Sequence, residues 1–103
     1  MARKKSSDST VILEDSIGIE QAESIKKKFT DSINSNKTTL VDLAKVTDID
    51  TSIIQLIFSA NNEAAAQKKE FFVINIPDDI KNLLSIMSLS LPEKVSEEKV
   101  EEQ

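Results

Sequence analysis

Cysteine and histidine are both absent from this chain. Without cysteine there is no disulfide and no thiolate chemistry, as suits a reducing cytoplasm. Without histidine the commonest general base and the commonest transition-metal ligand are gone. Zinc chemistry and Ser-His or Cys-His catalysis therefore have no parts here. Tryptophan and tyrosine are missing too, the four aromatics all being phenylalanine, so no base-stacking platform is available. An excess of positive charge is also lacking: 13 Lys and Arg face 18 Asp and Glu, a formal net charge of -5. That argues against nonspecific nucleic-acid binding, which needs clustered cations to displace counterions. No apolar run is long enough to cross a bilayer, and the basic residues 1–7 lead into none. Neither a signal peptide nor membrane insertion is expected.

What is present predicts one small globular domain. The 103 residues are 39% hydrophobic and 30% charged, which allows a single compact core. Residues 1–9 are polar and expected to be flexible, residues 10–91 to form the domain, and residues 92–103 to be a charged tail. Residues 10–13 read as a short strand and 14–18 as a turn around Gly18, the only glycine. Over 19–33, Ala22, Ile25, Phe29 and Ile33 recur at helical spacing, with Lys26, Lys27 and Lys28 mostly on the solvated side. Residues 38–43 alternate little, as in a strand covered on both faces. Residues 44–49 read as a connector that turns Val46 and Ile49 inward. A second helix is expected over 52–67, with Ile53, Ile57, Ala60 and Ala64 as its apolar face. The third strand is expected over 70–76. Pro77-Asp78-Asp79 then opens a helix whose Ile80, Leu83, Leu84 and Met87 form one stripe. Strand and helix alternate three times, which predicts an α/β fold: a mainly parallel sheet with helices packed on it.

The chemistry concentrates where the second strand gives way to the second helix. Asp50 precedes two hydroxyls, Thr51 and Ser52, at the helix start. A hydroxyl or an acid there caps the helix by accepting a backbone N–H bond. The same N–H groups and the helix dipole also tolerate a phosphate. Asp42, Asp48 and Asp50 can be read as an oxygen-rich cluster for Mg²⁺, or as strand-end acids that cap loop N–H groups. On the exposed side of the helix, Gln55, Ser59, Asn62 and Glu63 are candidate contacts.

Leu40-Val41-Asp42-Leu43-Ala44, followed by Val46, then Ile49-Asp50-Thr51-Ser52 and Ile54, resembles the regulatory loop of the STAS family, the anti-sigma-factor antagonists and their relatives. The likeness spans residues 10–91. It implies a STAS-like fold and a non-enzymatic, cytoplasmic, bacterial regulator that needs no cofactor and acts by binding protein. In antagonists the second hydroxyl of the pair is phosphorylated by a partner serine kinase that is also an anti-sigma factor, so the output is transcription. By position that residue is Ser52, with Thr51 the alternative. The resemblance puts the contact surface at Asp50, Thr51, Ser52 and Ile53, continuing onto the exposed helix side. A related branch resembles the STAS subunit of phospholipid ABC transporters, where an Asp-Thr pair sits at this place; its partner would be the transporter ATPase. A homodimer through an exposed strand at residues 10–13 is a further expectation. Three family glycines are replaced here, by Asp15, by Ile53 and by Gln67-Lys68-Lys69. The family's N-terminal strand is shortened or missing.

Overall fold

In the computed structural model of the chain, residues 8–93 are described. The expected flexible start and charged tail fall outside them, except for Asp8, Ser9, Pro92 and Glu93. The elements are β1 (Asp8–Ile17), a 3-10 turn (Ile19–Gln21), α1 (Ala22–Ser35), β2 (Thr38–Ile49), α2 (Thr51–Ala66), β3 (Glu70–Ile74) and α3 (Asp78–Ile86). The sheet is wholly parallel, in the order β1-β2-β3. The expected α/β alternation is therefore present.

Strands laid down in sequential order, joined by right-handed crossovers, send successive helices to the same face. Burial follows that rule. Val11 and Leu13, then Thr39, Val41 and Leu43, then Phe71 and Val73 are buried. They meet Ile25, Phe29 and Ile33 of α1, Ile53, Ile54, Ile57, Ala60 and Ala64 of α2, and Ile80 and Leu84 of α3 in one core. Phe29 and Phe71 pack edge to face, centroids 5.7 Å apart. The one polar pair in this layer is satisfied internally: the Ser32 and Thr39 hydroxyls lie 2.8 Å apart. On the other face, Leu40, Asp42, Phe72 and Ile74 are only half-buried and Ile12 is exposed. β2 is thus covered on one face and not on both, because a three-stranded sheet wound in one direction has helices on one side only.

Two segments differ from their sequence reading. Residues 14–17 continue β1 and residues 44–49 continue β2. The two extensions pair with each other beyond the end of β3, whose partners stop at Asp42. The register shifts twice, Ile12↔Asp42 giving way to Glu14↔Lys45, and Asp15↔Val46 to Ser16↔Asp48. Each shift places one extra residue in β2, a bulge. That is why Leu43, Val46 and Ile49 point inward at a spacing of three, a spacing that does not read as a strand. Within the ribbon Asp15 takes φ 65, in the left-handed region, and the pairing continues to Ile17↔Ile49.

The C-terminus of α2 is a two-bond αL cap. The Lys69 N–H reaches the Ala64 carbonyl at 2.8 Å and the Lys68 N–H that of Ala65 at 3.0 Å. Lys68 occupies the position that favours glycine, with φ 61. The Lys69 ammonium then donates to the Ile33 and Asn34 carbonyls at the end of α1, at 2.6 and 3.2 Å, favourable for a cation at a helix C-terminus. After α3 the chain returns beside β3. Leu91 is buried and the Val73 N–H donates to the Pro92 carbonyl at 2.9 Å.

Because Lys68 is exposed and left-handed, Lys68→Gly is expected to stabilise the domain by about 1 kcal/mol, read as a raised midpoint in urea. The same change at Lys69, which has ammonium bonds to lose, is expected to destabilise it.

Candidate functional site

The paired β1–β2 extension determines where the site lies. The Asp50 N–H donates to the Ile17 carbonyl at 3.0 Å, holding the two strand ends together. Gly18 turns away at this point. Its backbone is extended, with φ -147, and a Cβ there would meet the Asp50 Cβ at an ordinary 3.7 Å. This glycine is tolerated here and not required by the backbone.

Asp50 is the N-cap of α2, extended at φ -85 and ψ 155. Its carbonyl accepts the Ile53 and Ile54 N–H bonds, at 3.0 and 3.2 Å. Its carboxylate Oδ2 accepts the Ser52 N–H at 2.9 Å and the Ser52 hydroxyl at 2.7 Å. One oxygen thus caps the helix and orients the alcohol. The Ser52 hydroxyl, then the Ser52 amide, and last the Thr51 amide hold the Asp50 carboxyl below its ordinary pKa, against a small opposing effect of desolvation. No acid lies in the first turn of α2, and Asp50 is the carboxylate that bonds directly to an N–H of the helix start.

The two hydroxyls differ. Ser52 is half-buried and bonded to Asp50; Thr51 is exposed, and its hydroxyl makes no hydrogen bond to another described residue. Gln55, Ser59, Asn62 and Glu63 are exposed as expected. At about 100° per residue, Thr51, Gln55 and Asn62 fall within about 40° of one another on the outer line of the helix. Ser59 and Glu63 lean toward α1, where with Lys26, Leu56 and Ala60 they line a groove of about 270 Å³. Ile53 is a correction: it is 0% exposed, and its side chain is core, out of reach of a partner. Its β-branched side chain faces inward.

The three aspartates do not converge. Asp42 Oδ1 accepts the Ala44 N–H at 2.9 Å and the Asn75 amide at 3.2 Å, where β3 ends. Asp48 Oδ1 accepts the Ile49 N–H at 3.0 Å. Among the described residues no group of three or more acids is placed to share an ion.

An open cleft of about 740 Å³ lies beside the cap. The turn after β1, the β2–α2 junction, and Leu83 and Met87 of α3 line it. Its ionisable groups are Glu20, Asp48 and Asp50, all acids, and Ile19 on its rim is 71% exposed. Ile19, Glu20, Leu83 and Met87 were not legible as site residues. Their helical spacing marked Leu83 and Met87 as core, and only the return of α3 toward the β1–α1 turn brings them to the cap.

An α/β domain wound in one direction, with an acid-capped hydroxyl pair opening its second helix, has the architecture of a STAS domain. Residues 1–91 match the sequence model of such a family, described as "Mlab, STAS domain"; the chain belongs to the STAS family. The fold is also that of solved antagonists. The anti-sigma factor antagonist SpoIIAA in its unphosphorylated form is 15% identical, with a TM-score of 0.73 over 95% of this chain and 89% of that one. A putative anti-sigma factor antagonist from Thermotoga maritima is 21% identical, with a TM-score of 0.67 over 89% and 86%. The Bacillus cell fate determinant SpoIIAA in its phosphorylated form is 18% identical, with a TM-score of 0.60 over 88% and 86%. No curated protein matches the chain by sequence. No helix of the described residues is long and apolar enough to cross a membrane.

The cap gives a pH signature. Asp50 has a folded-state pKa below its unfolded value, so its contribution is fully present above the ordinary carboxylate range and is lost as pH falls through the depressed value. Asp50→Ala is expected to lower the melting temperature by a few degrees at neutral pH, the gap narrowing at acid pH. A gap that stays constant on acidification contradicts the assignment.

Proposed function

We propose that this domain is a non-enzymatic regulatory module that binds a partner protein through the start and outer side of α2, and that phosphorylation of Ser52 by a partner serine kinase switches the binding. The observation that carries this reading is the Ser52 hydroxyl, held 2.7 Å from Asp50 Oδ2 at a helix N-terminus, within the motif of a STAS chain. Phosphorylation replaces the hydroxyl proton by a phosphoryl group. The bond to Asp50 is lost, and a charge of about -1.5 to -2 is set beside a carboxylate. Backbone N–H groups at the helix start offset part of that repulsion, so the domain stays folded while the surface around Thr51 and Gln55 changes charge. A surface altered without refolding is sufficient for a binary switch. The cleft acids suit a partner segment that is basic around an apolar side chain.

A second reading is favoured by Thr51. Of the two hydroxyls it is the exposed one, and Asp50-Thr51 fits the branch that resembles the cytoplasmic STAS subunit of a phospholipid ABC transporter. There the module supports assembly or activity of the ATPase, and Thr51 is the contact.

Isolation of the chain with its partners from the native host, with phosphopeptide mapping, tests both. The first reading expects a serine kinase in the complex, phosphate on Ser52, and at least about a tenfold loss of partner affinity in Ser52→Asp. Unchanged affinity in that variant defeats it. Recovery of an ATPase and permease, with Thr51→Ala more damaging than Ser52→Ala, establishes the second.

A further inference from the structure

The outer edge of β1 is unusually open to a further strand. β1 pairs with β2 alone, and no other strand of the described residues pairs with its outer edge. Sheet edges are normally guarded by lysine, proline, bulges or a covering segment. β1 contains neither lysine nor proline, and its charged residues, Asp8, Glu14 and Asp15, lie toward its two ends and leave residues 9–13 uncharged. The extra residues of both bulges belong to β2, and the one left-handed backbone in β1 is at Asp15. A groove of about 470 Å³ runs along the edge, lined by residues 9–12 and by Lys28 and Asp31 of α1. It carries both signs of charge, and Ile12 stands 51% exposed beside it.

We propose that this edge pairs with the same edge of a second copy, antiparallel, on a two-fold axis through Ile12. The two three-stranded sheets then become one continuous sheet. In such a pair, the numbers of facing residues sum to twice that of the residue on the axis. An axis at Ile12 sets Ile12 against Ile12, Val11 against Leu13, and Thr10 against Glu14. Apolar meets apolar, and no like charges face each other. An axis at Val11 sets Asp8 against Glu14, and one at Leu13 sets Ile12 against Glu14 and Val11 against Asp15. Of these three registers the side chains favour the one centred on Ile12, and both copies present the same surface, as a two-fold interface requires.

Sedimentation equilibrium of the full chain tests this. The expected result is a mass that rises with concentration to twice 11.4 kDa. Ile12→Lys and Ile12→Glu each set like charges across the axis and are expected to hold the monomer mass. An equimolar mixture of the two restores the doubled mass. Thr10→Lys, facing Glu14 of the other copy, is expected to strengthen association, and circular dichroism verifies that each variant is folded. A wild-type mass of one chain at every concentration overturns the proposal. So does a dimer that persists in Ile12→Lys, or a charge-swapped mixture that stays monomeric.

Discussion

The β1–β2 pairing that runs out to the bond from the Asp50 N–H to the Ile17 carbonyl holds the functional end of this domain together. That bond closes the β1–β2 ribbon where β3 no longer supports it, so the starts of both crossover helices are fixed by the same pair of strand ends. Without that closure the turn carrying Ile19 and Glu20 and the cap carrying Asp50 would move independently. With it they form two walls of one cleft, and α3 supplies the third. The bulges in β2 serve the same geometry. They let the ribbon bend while Val46 and Ile49 remain anchored in the core.

The chemistry at that closure rests on a division of labour between neighbours in sequence. Asp50 offers one carboxylate oxygen to both the amide and the alcohol of Ser52. Thr51, one residue earlier, is turned out to solvent. A helix advances about 100° per residue, so adjacent hydroxyls cannot share an environment. One is held and the other is free. A kinase acting on Ser52 must displace an existing hydrogen bond, whereas a protein that only docks meets Thr51 first. The two functional readings differ in which of these hydroxyls the partner engages.

The order of elements and their apolar faces were legible because their periods are regular. Ile25, Phe29 and Ile33 repeat at helical spacing, and Ile80 and Leu84 do the same. A cap at this point was legible because acids and small hydroxyls accept the free N–H groups of a helix start, but which of Asp50, Thr51 and Ser52 supplies it was settled only by the backbone at Asp50. The β1–β2 extension was not, since bulges replace a period of two by one of three, and residues 44–49 then look like a loop. The cleft was not legible either, because Leu83 and Met87 reach it through a long-range return of the chain. Ile53 was misplaced as a surface contact by its position beside the hydroxyl pair, although its own apolar spacing already put it in the core.

The missing glycines follow from the same geometry. Two family glycine positions, at Asp15 and in the segment containing Lys68, have left-handed backbones here, with φ 65 and 61. This chain holds those conformations without glycine, the residue that adopts them most easily. At Lys68 the next residue supplies compensation, since Lys69 reaches across to cap α1. At Asp15 no side-chain hydrogen bond links the residue to another described residue, and the left-handed backbone falls beside the second register shift of the ribbon. The third position, Ile53, lies inside α2 and fills the core. There a glycine would weaken the helix, and the side chain adds apolar burial next to the cap. The same substitution pattern therefore stiffens the helix that carries the hydroxyls, while leaving strain at the end of β1 and just past the end of α2. Rigidity is concentrated where the site needs a fixed hydroxyl, and the strained turns lie outside it.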